Sequence, residues 1–142
     1  MTATKIVLDT NIVISCALKP ESNLSQIWDM IVAEKLQIYY NADILAEYVS
    51  ILSRPKFDFD FMLQNSYTDF VKENGIIFDP ITSTTKLLDE KDRIFYDTAT
   101  QCGATLITGN IKHYPIKPYI KTPADFLRQT HHNTKPPTEY GY

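Results

Sequence analysis

Lys5-Ile6-Val7-Leu8-Asp9-Thr10-Asn11 is the stretch whose reading decides the fold. Ile6-Val7-Leu8 is a short, β-branched, apolar run, the pattern of a strand buried on both faces. From Ile12 to Leu18 the chain is apolar again, so a helix over 11–18 follows and Pro20 ends it. A strand over 5–9 therefore delivers a lone carboxylate, Asp9, to its own C-terminal edge. In open α/β sheets that edge is where ligands bind. Asp9 has no cation near it in sequence, and something else must balance its charge. The structural alternative makes Asp9 or Thr10 the N-cap of the helix that follows.

Working outward, the elements alternate. Asn23 is placed to cap a helix in which Leu24, Ile27, Trp28, Ile31 and Val32 recur at helical spacing. Leu36–Tyr40 is a second strand. Asn41 caps a helix with Ile44, Leu45, Tyr48, Val49 and Leu52 on its apolar face, ended by Pro55. A helix over 59–73 carries Phe61, Met62, Phe70 and Val71 inward, with Gly75 as C-cap. Ile76–Phe78 is a third strand. A helix over 93–102 stops at Gly103, Thr105–Ile107 is a fourth strand and Tyr119–Lys121 a short fifth. Pro123 opens the last helix, over 124–130. The order β-α-α-β-α-α-β-α-β-β-α predicts a layered α/β fold, with a central, mainly parallel sheet flanked by helices. The first and fourth strands should be neighbours in it. The domain is expected over 1–129. The segment 130–142, which carries two of the chain's prolines and no periodicity, reads as a flexible tail.

Composition bounds the function. The 142 residues are 44% hydrophobic and 22% charged, as in an ordinary globular domain. A net charge of −3 argues against bulk electrostatic binding of nucleic acid, so any such contact is local or metal-mediated. Cys16 and Cys102 sit in apolar helical contexts and read as buried thiols, not a disulfide framework or zinc site. No apolar run reaches membrane-spanning length and no signal-peptide core is evident. The expectation is a cytoplasmic protein without a membrane association.

The remaining acids are candidate partners for Asp9. Glu47 falls beside the apolar stripe of its helix and can lean over a sheet edge, although most glutamates are solvated. Asp89, Asp92 and Asp97 cluster in Leu88–Asp97. Asp92 also fits an N-cap, and Asp97, five residues on, points roughly 140° away from it on a helix. Thr108-Gly109-Asn110 leaves the fourth strand at the same edge as Asp9.

Together these pieces resemble the PIN-domain family, and within it the toxin-like ribonucleases of toxin–antitoxin systems. The resemblance rests on Leu8–Asn11, on Glu47 within Ile44–Tyr48, and on Ser53-Arg54-Pro55-Lys56-Phe57. It rests further on Asp92 ahead of Phe95-Tyr96-Asp97, and on Leu106–Pro115. It spans about residues 4–127. It implies a PIN-like parallel-sheet sandwich and a Mg²⁺- or Mn²⁺-dependent endoribonuclease that cleaves single-stranded or structured RNA. It also implies a cognate antitoxin protein as partner, and admits a homodimer. Members of the family commonly carry aspartate where this chain has Asn110; the amide brings no charge and weakens a second-metal site.

Asp9, Glu47 and Asp92 would then hold the metal, with Asn110 or Asp97 as a fourth catalytic position, Asn110 the favoured one. Thr10, Asn11 and Thr108 would orient Asp9 and the waters, and Lys112 and His113 would grip RNA phosphates. Three carboxylates about 5 Å apart repel by roughly 3 kcal/mol per pair at an effective dielectric of 20. A protein that gathers them either raises a pKa or binds a cation, and Mg²⁺ takes hard oxygen ligands while keeping several waters. At least one clustered acid should therefore titrate high in the metal-free protein. Two rivals remain. A haloacid-dehalogenase-like phosphatase needs a second aspartate where Asn11 stands. A non-catalytic RNA-binding or interaction protein on the same fold is the closer alternative.

Overall fold

The computed structural model describes residues 3–134, with side chains as far as Thr130. The central strand β1 (Thr4–Leu8) is followed by α1 (Thr10–Leu18), α2 (Ser25–Val32), β2 (Leu36–Tyr40), α3 (Ala42–Leu52) and α4 (Phe61–Asn74). Then come β3 (Ile76–Ile77), α5 (Arg93–Cys102), β4 (Thr105–Ile107), β5 (Ile120–Lys121) and α6 (Pro123–Thr134). The expected order of elements holds throughout. Every pairing is parallel, in the order β3-β2-β1-β4-β5.

That order places β1 and β4 side by side, with Leu8 opposite Ile107. The chain winds outward from β1 through β2 to β3, then returns to the other side of β1 for β4 and β5. The reversal lies between β1 and β4, where crossovers leave in opposite directions and open a crevice at the strand ends. Ile6, Val7, Leu8, Leu106 and Ile107 are wholly buried, as strands covered by helices on both faces must be.

Local chemistry explains where the elements stop and start. Asn41 caps α3 by accepting from Ile44 N at 3.0 Å, and its amide donates to Phe78 O and to Thr98 Oγ1. One side chain thus joins β2, α3, α5 and the exit from β3. Gly103 ends α5 in the left-handed region at φ 74°, which only glycine adopts freely. Gly75 has a different reason. Its φ is −77°, but a Cβ there would stand 2.6 Å from Val71 O and 2.7 Å from the Tyr40 ring.

Several expectations are corrected. β1 ends at Leu8, so Asp9 lies just past the strand. Leu24, not Asn23, occupies the N-cap of α2, and the Asn23 side chain accepts from Gln26 instead. Phe61 and Met62 are 76% and 83% exposed, not inward. Asp60 caps α4 by accepting from Leu63 N, which makes Phe61 and Met62 the first turn, ahead of the inward stripe of Leu63, Tyr67, Phe70 and Val71. α6 runs to Thr134, past the expected end at 130. The remainder of the expected tail, from 135, lies outside the described residues. No helix among the described residues is long and apolar enough to cross a membrane. Cys16 is buried and Cys102 half-buried, both as free thiols.

Candidate metal centre

Asp9 occupies the N-cap position of α1, with extended backbone at φ −63° and ψ 147°, yet its side chain makes no capping bond. It turns away from the helix and into the crevice beside β4. There Thr108 Oγ1 donates to Asp9 Oδ2 at 2.7 Å and the Tyr114 hydroxyl donates to the same oxygen at 3.2 Å. A carboxylate that ignores the N–H groups at its own helix start in favour of partners beyond another strand is not serving as a cap. Asp9 is 4% exposed.

The parallel register creates this contact. Leu8 pairs with Ile107 and Asp9 N donates to Ile107 O at 3.0 Å, so Asp9 and Thr108 leave their strands side by side. Thr108 Oγ1 also accepts from Asn110 N at 2.9 Å, which commits the hydroxyl proton to Asp9. On the other flank, Tyr48 of α3 donates to Leu8 O at 2.6 Å and ties that helix to the last residue of β1. The Thr10 hydroxyl, buried next to Asp9, has no partner among the described residues.

Asp92 closes the site. It ends a 3₁₀ turn over Glu90–Asp92 that leads into α5, and that turn is capped by Asp89, which accepts from Lys91 N at 3.0 Å. Asp92 occupies the N-cap position of α5, as the N-cap alternative expected, but its side chain makes no capping bond. Its carboxylate instead meets His113 Nδ1 at 3.2 Å. Burial and then the Asp9 charge push the Asp92 carboxyl above the ordinary aspartate range; Asp89 adds to this and His113 opposes it. The expectation of a high-titrating acid is met at Asp92. Burial and the same two carboxylates push the Tyr114 phenol upward, so it remains a donor at neutral pH.

The other candidates are distributed as follows. Glu47 is exposed on α3, beside Tyr48. Among the described residues no three His, Cys, Asp or Glu side chains are gathered closely enough to hold a metal ion, so the assembled unit is the pair Asp9 and Asp92. Asn11 and Lys112 are exposed, and Asn110 is half-buried directly after Thr108 and Gly109. Asp97 is 2% exposed and already engaged, since Ser83 N donates to its Oδ2 at 2.9 Å and Ser83 Oγ to its Oδ1 at 2.6 Å. Arg93 and Gln101, one turn to either side of it, bond the backbone of Ser83, Thr85 and Ile81. Asp97 thus fastens the extended segment 81–85 to α5.

Sequence reasoning missed Tyr114 and Tyr48. Tyr114 stands inside the run Leu106–Pro115, where a bulky aromatic in a polar loop was the available signal; Tyr48 reads as one more apolar residue of α3.

A family model for the PIN domain matches residues 5–112, from β1 through Asn110 to Lys112. The chain belongs to the PIN domain family. Uncharacterized protein MJ1680 of Methanocaldococcus jannaschii is 29% identical over 109 residues, covering 75% of this chain and 70% of that one. Among solved structures, a chain from the crystal structure of VapBC2 from Rickettsia felis bound to a DNA fragment from their promoter superposes with a TM-score of 0.52. It is 21% identical and is matched over 77% of this chain and 90% of its own length. That likeness shows a shared PIN fold.

PIN domains are typically nucleases that use a divalent metal, and the residues of this one fit such an ion. Both hydrogen bonds to Asp9 fall on Oδ2, leaving Oδ1 with no partner among the described residues. Asp92 supplies a second hard oxygen donor, and the unpartnered Thr10 hydroxyl can accept from or donate to a water. A site of one or two carboxylates and several waters is what Mg²⁺ prefers.

Proposed function

We propose that this PIN domain is a Mg²⁺- or Mn²⁺-dependent endoribonuclease, the toxin component of a toxin–antitoxin pair, acting on RNA in the cytoplasm. The observation that carries the reading is the Asp9–Asp92 pair at the switch point of the sheet. Asp9 forgoes its helix for the crevice that also holds Asp92, and burial together with the Asp9 charge raises the Asp92 carboxyl. A binding module has no use for that repulsion; a cation site does.

Asp9, oriented by Thr108 and Tyr114, and Asp92, oriented by His113, would hold the ion, with Glu47 reaching it through water. When bound, the ion supplies Lewis-acid stabilisation of the phosphodiester and activates water at neutral pH. Thr10 and Asn11 fix waters beside Asp9. Exposed Lys112 meets the backbone of a single-stranded or structured RNA, which explains how a chain of net charge −3 engages a polyanion. His113, facing Asp92, contributes a second donor toward phosphate. The likeness in fold to the VapBC2 chain supports a cognate antitoxin protein as partner, and self-association as a homodimer is consistent with it.

Cleavage of a mixed RNA pool tests the reading. Wild type should cut in Mg²⁺ or Mn²⁺ and not in EDTA, and Asp9→Asn should lose about a hundredfold or more of that activity. Cleavage that survives EDTA or the Asp9→Asn change refutes it. The second reading, RNA binding without chemistry, draws on Glu47 standing outside the acid pair. It requires RNA to be retained by a protein that cuts in neither ion.

A further inference from the structure

The two hydrogen bonds on Asp9 converge on one oxygen, and this has a consequence for which ions the site accepts. Thr108 Oγ1 and the Tyr114 hydroxyl both donate to Oδ2, at 2.7 and 3.2 Å. A carboxylate oxygen has two in-plane lone pairs, and here both are taken. Neither donor is free to leave. The Thr108 hydroxyl proton is directed at Asp9 because Asn110 N already donates to Oγ1, and Thr108 is 0% exposed. Tyr114 is 5% exposed and no carbonyl competes for its proton among the described residues.

We propose that Tyr114, together with Thr108, is a specificity-determining pair: by occupying Oδ2 it restricts Asp9 to binding a cation through Oδ1 alone, which selects small octahedral ions and disfavours Ca²⁺. Mg²⁺ binds at 2.0–2.1 Å in near-ideal octahedral geometry and takes carboxylates through one oxygen with waters in the other positions, whereas Ca²⁺ takes six to eight oxygens at 2.3–2.6 Å and commonly chelates both oxygens of a carboxylate. Two-oxygen chelation by Asp9 needs one of the Oδ2 lone pairs and so requires breaking one of these hydrogen bonds in a buried pocket. The selectivity resides in the loop over 108–114, not in the acids themselves. Tyr114 acts through Asp9 and is a positioning residue in this role.

The inference rests on the metal-site reading above, and the test separates the two. Mg²⁺ and Ca²⁺ affinities are measured by isothermal titration calorimetry on the full chain, with no RNA present, for wild type, Tyr114→Phe and Thr108→Val. Tyr114→Phe keeps the ring that fills the pocket and frees one lone pair; Thr108→Val keeps the shape of the side chain. Circular dichroism melts establish that each variant is folded. Each variant should raise the Ca²⁺-to-Mg²⁺ affinity ratio by about tenfold, the scale of one hydrogen bond to a charged group. An unchanged ratio in folded variants that still bind Mg²⁺ overturns the inference and leaves the metal site standing. A wild type that binds neither ion overturns both.

Discussion

Replacing Asp92 by Asn should stabilise the metal-free protein while disabling its site. Asp9 and Asp92 are close enough that the Asp9 charge, after burial, raises the Asp92 carboxyl. Like charges about 6 Å apart at an effective dielectric near 20 repel by about 3 kcal/mol. The His113 contact offsets part of this, leaving about 1–2 kcal/mol to be gained by removing the charge. Because the folded Asp92 carboxyl titrates above its unfolded value, its stabilising contribution is complete below the unfolded pKa of about 3.9 and is lost as pH rises through the folded pKa. Wild type is thus penalised at pH 7 and not at pH 3.5. Circular dichroism melts in EDTA should show Asp92→Asn about 3–8 °C more stable at pH 7, with the difference vanishing as pH falls toward 4. In saturating Mg²⁺, at a hundred times its dissociation constant, wild type should gain about 2.7 kcal/mol and the variant distinctly less. A variant less stable than wild type in EDTA at pH 7, or a stability difference that ignores pH, refutes the assignment of Asp92 to an acid pair with Asp9.

Two further outcomes probe the surrounding structure. Asp97→Asn should cost about 1–3 kcal/mol in urea denaturation by weakening the Ser83 bonds, yet keep the full Mg²⁺ increment; loss of that increment would return Asp97 to the metal site in place of Asn110. Gly75→Ala should destabilise by about 1–3 kcal/mol, since the new methyl meets Val71 O and the Tyr40 ring at under 3 Å; a neutral result in the same denaturation assay contradicts the close packing of α4 against β2.

The fold was legible because its signals are local. Asn41 at a cap, Gly103 after α5 and the unbroken apolar run of β1 each announce their structure through neighbours in sequence. The all-parallel sheet followed from the alternation of elements. Phe61 and Met62 misled because hydrophobicity alone does not reveal that Asp60 starts the helix at residue 61 and turns its first residues outward. In the site, Asp9 and Asp92 were legible as acids delivered to one sheet edge. What stayed hidden depends on contacts across the fold: Tyr114 reaches Asp9 over 105 residues and His113 reaches Asp92 over 21. Asp97 was readable as an acid, but not as the anchor of a strap whose backbone it bonds. Glu47 illustrates the limit from the other side, since helical spacing put it near the edge without fixing its direction.

The β1–β4 pairing also bears on how the protein is made. Asp9 and Thr108 are 99 residues apart, so the segment that completes the crevice is synthesised long after the strand it pairs with. A nascent chain of about a hundred residues, still held by the ribosome, has made Asp9 and Asp92 but neither Thr108 nor Tyr114. Its central strand lacks one of the two neighbours it needs, and non-local parallel pairing is slow to form. The acid pair is therefore aimed only after Thr108 and Tyr114 have been made, and a product terminated before them carries the acidic residues without the architecture that orients them.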